Sequence, residues 1–119
     1  MATALGAFQF DNLVQARIPF LLVNLGVNTS VTYQHVFKMH LDRTLLQLEN
    51  KDVAMASTEE IIAGIQSMKY PNISAIVVID QDETKSIAVA ESLENAGYTN
   101  SFYLRGGWNQ LVREKAEGF

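Results

Sequence analysis

Cysteine is missing from this chain altogether. Its absence excludes disulfides, thiolate metal sites and every mechanism that needs a thiol nucleophile. Basic residues are also few, nine Lys and Arg against thirteen Asp and Glu, for a formal net charge of -4. A nucleic-acid surface needs clustered Lys and Arg facing phosphates, and these nine are scattered, so no nucleic-acid partner is expected. There is no long apolar run: residues 18–23 are too few to cross a bilayer, and Met1 to Ala7 lacks the basic stretch that opens a signal peptide. The expected address is cytoplasmic, with no membrane partner. His35 and His40 lie five apart, on different sides of any helix, and make no chelate. Neither a metal site nor a cofactor is implied, and the chain shows no repeat and no low-complexity segment.

What is present suits one compact domain over residues 1–119, with 48% hydrophobic and 18% charged residues. Its organising stretch is 75–108. Ala75-Ile76-Val77-Val78-Ile79 is a short apolar run rich in β-branched residues, as expected of a strand buried on both faces of a parallel sheet. Asp80 ends it, and Gln81, Asp82, Glu83, Thr84, Lys85 and Ser86 form a wholly polar loop. Ile87, Ala90, Leu93 and Glu94 then begin a helical period that Gly97 stops in the C′ position. Asp80 therefore stands where a strand hands over to a helix, the place where open α/β sheets bind ligands. Ser101-Phe102-Tyr103-Leu104 reads as a further strand, and Gly106-Gly107 turns into a closing helix through Trp108, Leu111 and Val112. Trp108 reads as a core or rim aromatic.

Upstream, Phe8 to Phe10 reads as a short edge strand, with Asp11 as N-cap of a brief helix through Leu13, Val14 and Arg17 that Pro19 ends. Phe20 to Leu25 reads as a central parallel strand, followed by a turn over 26–30. Tyr33, Val36, Phe37, His40, Leu41, Thr44, Leu45 and Leu48 fall on one helical stripe, which predicts a helix over about 31–49. Met39 and Leu46 lie beside that stripe and form a candidate partner surface, for a homodimer or another protein; the alternative is that the stripe is core. Ser57 and Glu60 make a capping box for a helix carrying Ile61, Ile62, Ile65 and Met68. The alternation predicts an α/β fold, a small three-layer domain with a mainly parallel central sheet flanked by helices.

Val77-Val78-Ile79-Asp80, Lys85-Ser86, Ala96-Gly97-Tyr98 and Leu104-Arg105-Gly106-Gly107-Trp108 together resemble the C-terminal half of a rhodanese-like domain. That family pattern runs from a strand to a catalytic Cys, four loop residues, Arg-Ser, a helix closing in Ala-Gly-Phe/Tyr, and a final Leu-x-Gly-Gly turn. Here Asp80 stands in the Cys position and Lys85 in the Arg position, with the loop length kept. Asn24 and Gly26 stand where the family has Asp-x-Arg, and the resemblance implies a strand at Val53-Ala54-Met55-Ala56, with none of the His, Pro or Gly of the family's preceding segment retained. A rhodanese holds a persulfide on its Cys inside a ring of backbone N–H groups, and a carboxylate cannot carry that sulfur. The resemblance therefore implies a catalytically inactive rhodanese-like domain, without sulfurtransferase activity, acting as a binding or regulatory module.

The loop 80–86 would then be a degenerate active-site loop. Its formal charge of -2 predicts weak or no anion binding, with a cation or a partner's basic side chain preferred. Asp82, Glu83 and Thr84 also suit the start of a helix. An alternative rests on Asp80-Gln81-Asp82-Glu83-Thr84, which matches the Asp-x-Asp-x-Thr strand end of haloacid-dehalogenase-like Mg²⁺-dependent phosphotransferases, with Asp80 as nucleophile and Asp82 as general acid. Only 35 residues follow Thr84, too few for that family's later strands.

Overall fold

The computed structural model describes residues 2–16, 18, 20–27, 32–33, 45–47, 58–67, 69 and 71–118. In chain order these form β1 (Thr3–Leu5), α1 (Ala7–Gln15), β2 (Leu21–Asn24), β3 (Leu45–Gln47), α2 (Thr58–Ser67), β4 (Ile76–Ile79), α3 (Ser86–Asn95), β5 (Ser101–Leu104) and α4 (Gly107–Ala116). The five strands make one sheet in the order β1-β5-β4-β2-β3. Every pairing in it is parallel. The α/β expectation holds.

β4 shows why the sheet has two covered faces. All four of its residues are fully buried, and because side chains alternate along a strand they serve opposite layers. Val77 and Ile79 join Leu22, Phe10, Val14, Trp108 and Leu111 on the face of α1 and α4. Ile76 and Val78 join Leu21, Val23, Ile61, Ile65, Val89, Ala90 and Leu93 on the face of α2 and α3. Burial of each such side chain contributes about 1.5–3 kcal/mol, so this central strand anchors both layers. On α3 the inward stripe is Ser86, Val89, Ala90 and Leu93, one position off the expected start at Ile87.

Gly97 stops α3 as expected. Its φ of 105° lets its N–H reach the Glu94 carbonyl (3.0 Å) while the Tyr98 N–H reaches that of Leu93 (3.0 Å), the paired bonds of a Schellman motif.

Two expectations near the N-terminus are corrected. Phe8 to Phe10 is not a strand: the edge strand is Thr3–Leu5, and Phe8 already belongs to α1. Ala7, Phe10 and Val14 fall on one helical face and are buried together, which outweighs the β-propensity of two phenylalanines. Asp11 is consequently inside the helix. Gly6 is the N-cap, and its N–H donates to Gln9 Oε1 at 2.8 Å.

The helix expected over about 31–49 is corrected at 32–33 and 45–47, while 31, 34–44 and 48–49 fall outside the described residues. Leu45–Gln47 is a strand paired in parallel with β2, and Thr32 and Tyr33 lie outside any helix. β2 has β4 on one side only, and its other row of N–H and C=O groups needs a strand partner. That demand overrides a local helical period. Leu46 thus lies in β3, and Met39 falls outside the described residues. So do the strand expected at 53–56, Ser57 of the capping box, Met68 and Pro19.

Candidate functional site

β4 and β5 are neighbours, yet their connections leave in opposite directions, β4 into α3 on one face and β5 into α4 on the other. Such a divergence opens a crevice beyond the carboxyl ends of the strands. The loop 80–86 and the Gly106-Gly107 turn both lie there.

Asp80 is buried, 3% exposed, at the mouth of this crevice. Its Oδ1 accepts the Glu83 N–H at 2.9 Å, and its Oδ2 accepts those of Lys85 at 2.8 Å and Ser86 at 3.1 Å. Three backbone donors, two of them at the start of α3, thus converge on one carboxylate. A helix N-terminus leaves such donors unsatisfied and favours negative charge beside them. Here the chain's own side chain supplies both the charge and the acceptors.

The second helix closes over the loop in the same manner. At the start of α4 the Trp108 N–H donates to the Asp80 carbonyl (2.8 Å) and the Asn109 N–H to that of Gln81 (3.0 Å). The Gln81 side-chain amide reinforces the second contact by donating to Asn109 Oδ1 at 2.6 Å. This approach requires glycine at 107: its φ is 74°, and a Cβ there would stand 2.6 Å from the Gln81 carbonyl oxygen. Glu83 takes the left-handed conformation, φ 72°, and its Oε2 accepts the Gly106 N–H at 2.9 Å. That bond ties the loop to the turn and offsets a conformation that costs a non-glycine residue about 1–2 kcal/mol.

Asp82, Thr84 and Lys85 face outward. Asp82 accepts from the Thr84 backbone (3.2 Å) and hydroxyl (2.7 Å), bonds that, with the nearby Lys85 charge, hold its carboxyl below the usual range. Lys85 is exposed. Ser86 Oγ is fully buried and has no hydrogen-bond partner among the described residues. All seven residues singled out in the sequence are therefore in one loop, but with unequal roles. All three of its carboxylates accept a backbone N–H, but Asp80 is buried, Glu83 is tied to the Gly106 turn, and Asp82 is exposed. Asp82, Glu83 and Thr84 do not start the helix, which begins at Ser86.

The sequence did not single out Asn109 or the backbone of 106–108 as closing the loop, although the Gly-Gly pair was the visible signal. The phosphotransferase alternative finds no support: both oxygens of the Asp80 carboxylate already accept backbone N–H groups of its own loop. Asn24 closes its own turn, its side chain donating to the Val27 carbonyl and accepting the Val27 N–H, both at 2.7 Å.

A family model, that of the rhodanese-like domain, matches residues 29–114. No curated protein and no solved structure gives a significant match.

Proposed function

We propose that this chain, which belongs to the rhodanese-like domain family, is a non-catalytic member that acts as a binding or regulatory module. The observation that carries the reading is the Asp80 carboxylate on the Glu83, Lys85 and Ser86 N–H groups. In a chain without cysteine, the residue in the nucleophile's place is a tethered anion, and the donors that would stabilise an anionic intermediate are already satisfied. Neither sulfur transfer nor tight binding of small anions is compatible with that arrangement. What is left to such a domain is recognition through its surface, by a protein partner or a second copy of the chain, with Asp82 the loop carboxylate open to a basic side chain.

The test is thiosulfate-to-cyanide sulfur transfer by the purified protein. The expected rate equals that of a blank without protein, and turnover clearly above it would remove the proposal. Asp80→Cys is expected to show a reactive thiol with little turnover, because Lys85 offers a single mobile charge where Arg offers a planar fork.

A further inference from the structure

Away from the loop, three distant parts of the chain meet on one oxygen. The Tyr33 hydroxyl donates to Asp11 Oδ1 at 2.6 Å, and the Lys115 ammonium donates to the same atom at 2.8 Å. Lys115 also lies over the Tyr33 ring, 5.1 Å from its centroid. Asp11 is on α1, Lys115 on α4, and Tyr33 on the segment that follows β2.

This knot does not end at its polar atoms. The Tyr33 ring, 2% exposed, meets Trp108 edge-on at 5.8 Å and Phe10 at 6.3 Å, and Phe10 meets Trp108 at 5.8 Å. These separations are those of favourable edge-to-face pairs. Trp108 in turn gives its N–H to the Asp80 carbonyl, so its ring and its backbone join the knot to the loop. A contiguous path of packed rings and hydrogen bonds thus runs from Lys115 to the cup.

We propose that Asp11, Tyr33 and Lys115 are positioning residues: they latch the segment after β2 onto α1 and α4 and, through Trp108, hold the loop 80–86 closed. The ion pair is within reach of solvent, with Lys115 33% and Asp11 14% exposed, so the latch can be opened without breaching the core. Opening it frees the Tyr33 ring, loosens the seat of Trp108 and releases the loop amides while the sheet stays intact. The inference does not depend on what the domain binds.

Amide hydrogen exchange in the full chain tests it, with Tyr33→Phe removing one hydroxyl and Lys115→Met removing the charge but keeping the stem. The Trp108, Glu83, Lys85 and Ser86 amides are expected to exchange roughly fivefold faster in either variant, the factor for one lost hydrogen bond. The Val78 amide of β4, which reports global opening, is expected to keep its wild-type rate. Loop amides at wild-type rates in both variants would overturn the proposal. A single common factor at Val78 and in the loop would overturn it too, by reducing the knot to general stability.

Discussion

A carboxylate at position 80 brings two acceptor oxygens to a spot where three N–H groups converge. Asp80→Ala leaves those three donors, the Ser86 N–H buried and the others part-buried, without their carboxylate acceptor and is expected to cost about 1–3 kcal/mol in urea denaturation. An unchanged midpoint would mean that water satisfies the amides equally well. Gly107→Ala has a different cause. Its Cβ would press on Gln81 backbone that cannot swing away, from a left-handed φ, so an overpacking loss of about 1–3 kcal/mol is expected, with further cost from the backbone conformation. Stability within a few tenths of wild type would show that the turn moves freely.

At the scale of elements, the Asp11 knot makes the contact between α1 and α4 pH-sensitive. Burial pushes the Asp11 carboxyl up, but hydrogen bonds from Lys115 and Tyr33 and the Lys115 charge outweigh it and leave it below the ordinary value. The unfolded chain then binds more protons in the interval between the two values. The contribution of Asp11 is therefore full above about pH 4 and lost as pH falls through its folded value. Tyr33 behaves oppositely. Burial first, then the Asp11 hydrogen bond and charge, push its hydroxyl far above the ordinary value, so its contribution is full below about pH 10 and declines at higher pH. Asp11→Asn is expected to be clearly less stable than wild type at pH 7, with the gap narrowing below about pH 4. A gap independent of pH would show that Asp11 contributes packing alone.

Elements were legible in the sequence where local chemistry and tertiary demand agree. Ile76–Ile79 and Ser101–Leu104 are apolar and short, and Gly97 marks a helix end that only a left-handed residue makes. Leu45–Gln47 was not legible, because the stripe through Leu41, Leu45 and Leu48 satisfies a helical period and only the unpaired edge of β2 asks for a strand. Phe8 to Phe10 misled in the opposite sense, since two phenylalanines favour a strand while the joint burial of Ala7, Phe10 and Val14 asks for a helix. Asp80 was visible as the residue at the strand end, whereas its bonds to Glu83, Lys85 and Ser86 depend on how the loop folds back. The Asp11–Tyr33–Lys115 knot joins positions 104 residues apart, a proximity no local pattern encodes.

For the molecule as a whole, the sheet places a crevice between β4 and β5 and the chain then fills it from within. No helix among the described residues is long and apolar enough to cross a membrane. If the domain works by contact, its association is open to measurement: sedimentation at several concentrations is expected to show self-association or a monomer that gains mass with a protein partner. The central claim, that Asp80 occupies the anion cup, is tested most directly by titrating thiosulfate, sulfate and acetate into labelled protein and following the Glu83, Lys85 and Ser86 amides by NMR. The wild-type chain is expected to show no saturable shift at these amides, and Asp80→Gly is expected to gain one. Saturable shifts at millimolar anion in the wild type, confined to those three amides, would contradict the account.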